Sequence, residues 1–200
     1  MMEILTCKQG SPEWFDARIG SIGGSSISSV VAGGQGKMRN SLMYRLAGEI
    51  LSGVKYESYS NAHMDRGIEQ EDDARNMYSF FSDNEVAQVG LIKDTPHKHV
   101  SPDGLCISDG MIEIKCVIPS VHIETILSDK VPSAYRKQCY WGMCKAERNW
   151  IDFVSYSPLV KDRPIWIKRI EWDEKIINEL DEKADLFIEE MLEIVKKIKR

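Results

Sequence analysis

Two hundred residues suit one domain with a good core, or one domain carrying a helical appendage. At 42% hydrophobic and 28% charged, the composition is that of an ordinary globular protein, and no apolar run approaches the length that spans a bilayer. The net charge of −5 argues against a generally basic nucleic-acid binder but leaves room for a local basic footprint, because residues 171–200 alone carry ten acids against six bases.

The first residues lack a signal-peptide pattern, since Glu3, Lys8 and Glu13 break up the apolar positions. The five cysteines include no Cys-x-x-Cys pair, which points to reduced, mostly buried thiols in a cytoplasmic protein. His63, His97, His99 and His122 show no zinc-ligand spacing, and a loop or structural role is expected for His97 and His99.

Along the chain, Ser11-Pro12-Glu13 reads as an N-cap, a proline at the first helical position and an acid in the first turn. A short helix with Trp14, Phe15 and Arg18 follows, broken by Gly20, Gly23 and Gly24; Ser25-Ser26 caps a second helix through Val31. Several backbone amides, a helix N-terminus and an arginine could make a phosphate pocket, but taken alone a plain helix–turn–helix with a Gly/Ser joint is the more economical reading. Residues 33–37 read as a mobile loop without the spacing of a nucleotide-binding P-loop, although Lys37 and Arg39 could contact phosphates. A helix from Asn40-Ser41 to about Ser52 packs Leu42, Leu46 and Ile50 inward, with Tyr44 and Leu51 as further candidates for that face; its Glu49 reads as a core-edge carboxylate or salt-bridge partner.

Asn61 caps the next helix, to about Phe81, on which Glu71, Ala74, Arg75 and Tyr78 share a face suited to lining a cleft. The acidic run at 69–73 is a solvated face by default, with Glu71 the inward exception. Val86 to Ile92 reads as a strand with Gly90 inside it. Asp109-Gly110 then signals a two-residue hairpin between strands at Leu105–Ser108 and Met111–Val117. On the second strand Glu113 and Lys115 share a face, and the turn folds Asp103 back towards Glu113. Two carboxylates and an ammonium suit a hard divalent cation and an anionic substrate. On spacing alone, a surface Glu–Lys pair is the more economical reading.

Helices follow at Pro119–Leu127 and Ser133–Cys144, then strands at Asn149–Tyr156 and Ile165–Trp172, the latter an edge or last strand. Asp173–Arg200 is a long amphipathic helix with Ile176, Leu180, Ala184, Phe187, Met191, Val195 and Ile198 inward. The order predicts a mixed α/β sandwich rather than an alternating array.

Four pieces, in this order and spacing, resemble the PD-(D/E)xK nuclease superfamily, and within it the lambda-exonuclease-like, YqaJ-type phage recombination nucleases. They are Trp14-x3-Arg18-x-Gly20 with Ser25; Gly67-x3-Glu71-x2-Ala74-Arg75; Ser101-Pro-Asp103-Gly-Leu with Glu113-Ile-Lys115-Cys; and Gln138 after Tyr135. Together they span roughly residues 8–156. The resemblance implies a single nuclease domain over 1–200: N-terminal helices and a 5′-phosphate pocket over 1–60, a catalytic core over 61–172, and a C-terminal helix over 173–200. The implied fold is a restriction-endonuclease-like core, a central mixed sheet flanked by helices.

The implied activity is Mg²⁺-dependent 5′→3′ digestion of linear double-stranded DNA from 5′-phosphorylated ends, leaving 3′ single strands for recombination. Two Mg²⁺ ions per site are expected, with Mn²⁺ as a substitute. Asp103, Glu113 and the carbonyl of Ile114 are the implied metal ligands, with Glu71 as a further carboxylate. Lys115 would orient or deprotonate the attacking water, and the metal would help it accept a proton. Gln138 would position that water. Arg18 and Ser25 match the end-phosphate pocket; another basic contact that this group can supply is missing at Gly33-Gly34-Gln35-Gly36, so either Lys37 or Arg39 substitutes or the preference for a phosphorylated end is weaker. A ring-shaped homotrimer, a single-strand annealing partner, no membrane association and expression from a phage or prophage in a bacterial host complete the expectation. The alternatives are a RecB-like or CRISPR-associated nuclease, disfavoured by the absence of a four-cysteine staple, and a non-catalytic DNA-end-binding subunit.

Overall fold

The computed structural model describes residues 2–32, 36–56 and 62–200, together with the side chains of all of these except 62–69. Two sheets carry the fold. The smaller joins β1 (Glu3–Leu5), β3 (Leu91–Thr95) and β4 (Lys98–Val100) in the antiparallel order β1-β3-β4. The larger has the order β2-β5-β6-β7-β8, built from β2 (Val86–Ala87), β5 (Gly104–Cys106), β6 (Gly110–Cys116), β7 (Trp150–Tyr156) and β8 (Ile165–Glu171). Only β6 and β7 run parallel, joined by a crossover through α5 (Pro119–Ser128) and α6 (Ser133–Ala146). The mixed α/β architecture with a long C-terminal helix is the one expected from the order of elements.

The segment read as one strand from Val86 to Ile92 is two, in different sheets. Gly90 is the reason for the break. A Cβ there would lie 1.9 Å from the Cys7 carbonyl oxygen, and its amide donates to Leu5 O, so the chain turns away to pair with β1. The hairpin also differs from expectation. Its loop is three residues, Ile107-Ser108-Asp109, with Asp109 left-handed at φ 66°. That geometry belongs to the three-residue family rather than the two-residue turn that Asp-Gly suggests.

Helix α3 (Lys37–Ser52) starts earlier than predicted, and its inward face is Leu42, Met43, Leu46 and Ala47, while Tyr44 and Leu51 face solvent. Helix α1 (Pro12–Ala17) is capped as read, Ser11 Oγ accepting from Trp14 N. The joint after it is a 3-10 turn at Gly24–Ser26 leading into α2 (Ile27–Val30); Ser26 Oγ bonds back to Gly23 instead of capping. Helix α4 spans Ala62–Ser82, and the expected Asn61 cap and the 33–35 loop lie outside the described residues.

Two cores cover the faces of the large sheet. On one, Met111, Phe153, Trp166 and Ile170 meet α2, α3, α6 and α7 (Glu174–Ile198), with Trp141 at the centre. On the other, Ile112, Ile114 and Val154 meet Ala74 and Tyr78 of α4. Strand β6 is thus covered on both faces, and alternation sends Met111, Glu113 and Lys115 one way and Ile112, Ile114 and Cys116 the other. Helix α7 buries Ile177, Leu180, Ala184, Phe187, Ile188, Met191 and Val195. Each large aliphatic or aromatic chain among these contributes about 1.5–3 kcal/mol. Ile198, expected inward, is exposed past the end of that core. Asp173 caps α7 through Ile176 N. Strand β8 is an edge, guarded by the charges of Lys168 and Arg169.

Candidate active site

Strand β5 ends its pairing at Gly104, opposite Ile112, so β6 continues from Glu113 to Cys116 with that edge open. Asp103, the residue before β5, fills the opening: its Oδ2 accepts the Ile114 amide at 2.6 Å. In an extended strand the N–H and C=O of one residue point to the same edge, so the Ile114 carbonyl opens on the Asp103 side too. Glu113 is buried, and its Oε1 accepts from both Lys115 Nζ and Gln138 Nε2. Asp103 Oδ1 and Glu113 Oε2 take no hydrogen bond from a described residue.

The electrostatics show an excess of negative charge. Burial, then Glu113, pushes the Asp103 carboxyl well above the usual carboxylate range, against the pull of Lys115. Burial works against the Lys115 ammonium, but Glu113 and Asp103 overcome it and raise its pKa. Glu71 is raised as well, first by burial, with Arg75 opposing and Asp72 and Glu113 adding, so it stands close enough to feel the same pocket. Arg75, expected only on the cleft-lining face of α4, is an organiser of the site. It donates to the Asp103 carbonyl at 2.7 Å, to Glu71 at 2.6 Å and to Asp72 at 2.5 Å, lashing α4 to the start of the hairpin.

Among the described residues no three His, Cys, Asp or Glu side chains close into a metal-binding group. The donors that do converge, Asp103, Glu113 and the Ile114 carbonyl, are hard oxygens. They suit a cation such as Mg²⁺ that takes one or two carboxylates and completes its shell with water and phosphate oxygens. The crowding of one buried and one half-buried carboxylate with one ammonium fits the same group. Cys106 and Cys139 are buried thiols.

A second cluster lies beside the first. The segment after α1 is pinned to β4 by Ile22 N to His97 O and His99 N to Ile22 O. Arg18 lies over the Trp14 ring at 3.8 Å and donates through Nε to His99 Nε2 at 3.1 Å. Burial lowers its pKa to about 10, with Glu49 opposing that shift and Arg45 adding to it. Buried Glu49 is the salt-bridge partner that the sequence allowed: it accepts from Gly20 N and Lys55 Nζ. Gly23 and Gly24 are there for close approach. A Cβ at Gly23 would lie 2.6 Å from His99 Nε2, and one at Gly24 3.1 Å from Gln138 Cγ. The exposed Ser25 therefore sits on a turn packed between the Arg18 cluster and the Gln138–Glu113 pair.

The structure brings together Asp103, Glu113, Ile114, Lys115 and Gln138, places Glu71 on their border, and sets Arg18 and Ser25 beside them. It does not bring in Arg39, which forms a bidentate pair with Glu190 of α7 at 2.7 and 2.8 Å. Lys37 is exposed at the first position of α3. His99 has the structural role that the sequence allowed, but its partners Arg18 and Ser21, 81 and 78 residues away, could not be read from a lone histidine.

The family model of a YqaJ-like viral recombinase domain matches residues 13–149. An alkaline exonuclease from Laribacter hongkongensis, also solved in complex with dAMP, is 35% identical, with a TM-score of 0.88 over 95% of this chain and 97% of that one. A phage-related exonuclease from Haemophilus somnus 129PT shares the fold at 15% identity, with a TM-score of 0.66 over 89% of this chain and 96% of that one. No curated protein matches the chain significantly.

Proposed function

We propose, from the premise that this chain belongs to the YqaJ-like viral recombinase domain family, that it is a metal-dependent exonuclease that digests linear double-stranded DNA 5′→3′ and leaves 3′ single strands. One observation carries the chemistry: the open edge of β6, where Asp103 and Glu113 crowd against Lys115 with Gln138 fixing Glu113. Asp103, Glu113 and the Ile114 carbonyl would hold Mg²⁺, or Mn²⁺, with Glu71 at the margin. Bound there, one or two ions supply charge relief at the leaving oxygen and a more acidic attacking water.

The chain's own groups do the rest. Gln138 holds the Glu113 carboxylate in one orientation, and Arg75 fixes the Asp103 backbone so that its carboxylate meets Ile114. Lys115 Nζ is the proton-handling group nearest the carboxylates. While both carboxylates face it, the ammonium stays charged; neutralising them lets it give up its proton and orient water. Arg18 and the Gly23–Ser26 turn lie next to this centre, which suits a terminal 5′-phosphate held while the adjoining diester is cut.

The test uses linear duplex labelled at one end, with and without Mg²⁺, against closed circular DNA. Mg²⁺-dependent loss of 5′ label from linear duplex alone supports the reading; cutting of circles or loss of 3′ label first would sink it. The same reading carries a homotrimer working with a single-strand annealing protein. Helix α5 suits a subunit contact, since it buries His122 and Thr125 while Val121, Ile123 and Leu127 face outward. A monomeric mass by light scattering would remove the trimer.

A further inference from the structure

The guanidinium of Arg18 is held in an unusual way for a half-buried arginine. No carboxylate touches it among the described residues. Its face lies on the Trp14 ring and its Nε donates to His99 Nε2, while Nη1 and Nη2 take no described partner. Glu49 neutralises the neighbourhood at one remove, through Gly20 N and Lys55. A guanidinium paired with a carboxylate has its fork occupied; this one keeps its fork and its charge for an incoming anion.

His99 makes that arrangement possible. The Arg18 Nε–H can only donate, so His99 Nε2 is the acceptor and the ring proton sits on Nδ1. The Nδ1–H then donates to Ser21 Oγ at 2.7 Å, which fixes the tautomer. The ring is 1% exposed and trapped, because Gly23 packs against its edge and the Trp141 indole donates to its backbone carbonyl at 2.9 Å. Burial and the positive charges of Arg18, Lys55 and Lys93 all favour the neutral ring.

We propose that His99 is a positioning residue for recognition of the DNA 5′-phosphate: the neutral imidazole, locked by Ser21, accepts from Arg18 Nε and aims the guanidinium fork at the terminal phosphate. This inference rests on the end-phosphate reading of the Arg18 pocket and goes beyond it in naming what orients the arginine. His99 touches neither the phosphate nor the scissile bond.

The experiment measures binding of a short blunt duplex bearing a 5′-phosphate or a 5′-hydroxyl, without divalent metal, and then the kcat and KM of digestion on both ends. Wild-type protein prefers the phosphorylated end, and Arg18→Ala loses that preference. His99→Leu is expected to cut the preference about tenfold, the usual size of a lost hydrogen bond to a charged group. The loss appears in KM more than in kcat. His99→Gln, which restores an acceptor within reach of Arg18 Nε, keeps most of the preference. If His99→Leu fails to fold, Ser21→Ala carries the test. It frees the tautomer, so a loss of about two- to threefold supports the lock and an unchanged preference overturns it.

A folded His99→Leu with full preference, or a His99→Gln that loses as much as His99→Leu, overturns the positioning role while Arg18→Ala still shows the pocket. If Arg18→Ala keeps the preference, or wild-type protein shows none, the end-phosphate reading itself falls, and the role of His99 with it.

Discussion

Two groups of buried charge in this molecule are built differently. In the first, Lys145 bridges Asp94 and Asp181, and Lys98 bridges Asp181 and Asp185, all at 2.7 Å. The two lysines are nearly inaccessible, but their carboxylates are 35–61% exposed and keep their water. In the second, around β6, the carboxylates themselves are withdrawn. The Glu113 side chain is 6% exposed, and Asp103 is pushed far up by burial and by its neighbour. The first group is closed: every buried cation has two anions, and it ties β3 and β4 to α6 and α7. The second is open: its carboxylates are withdrawn from water, and Lys115 alone stands between Asp103 and Glu113. Buried charge that is balanced contributes to the fold, and buried charge left unbalanced is a demand for a ligand.

The largest effect expected from breaking this contrast is at the open group. On the proposed reading Glu113 is a metal ligand, so Glu113→Gln should reduce Mg²⁺-dependent digestion of linear duplex by roughly a thousandfold or more, while the melting temperature barely moves. Next comes the closed group. Lys145→Met leaves the Asp94 and Asp181 carboxylates facing an apolar chain, and urea unfolding should show a loss of about 2–4 kcal/mol, moderated because those carboxylates are partly wet. Digestion per folded molecule should persist.

A third prediction separates the groups by ligand. Mg²⁺ at a hundredfold excess over its dissociation constant should stabilise wild-type protein by about 2.7 kcal/mol, and Asp103→Asn should lose most of that gain, whereas Lys145→Met should keep it. A smaller effect concerns His99, whose neutral ring faces Arg18, Lys55 and Lys93. Its pKa in the folded protein lies below 6.5, so the unfolded chain binds the proton first as pH falls. Stability from this group is complete above about pH 6.5 and declines below it. His99→Gln should flatten that decline in melting curves taken from pH 7 to 5. The smallest is Arg39→Ala: its pair with the half-exposed Glu190 is worth about 0.2–1 kcal/mol.

How much of this was legible beforehand differs by element. Helix α7 could be read nearly to the residue, because one long period and an Asp cap leave little freedom. The face shared by Glu113 and Lys115 was equally plain, since alternation in a strand is a local rule. The split of 86–92 was not, because the Gly90–Cys7 approach joins residues far apart in the chain. Tyr44 and Leu51 misled because a helix can be apolar on a side that none of the described residues covers. The pairing of Arg39 with Glu190, 151 residues on, could not be read from the sequence either.

The sequence by itself determined the periodic elements and the residue types available for chemistry: two carboxylates and a lysine about one β-hairpin, and an arginine in a glycine-rich joint. Their resemblance to the YqaJ-type nucleases was legible as well, because motif order survives in one dimension. Only the tertiary structure decided which charges are answered. That depends on where β5 stops and leaves the edge of β6 to Asp103, on Arg75 reaching from α4, and on His99 meeting Arg18. These are contacts between distant segments, and the energies that set them come from desolvation, which exists only once the chain has closed around them.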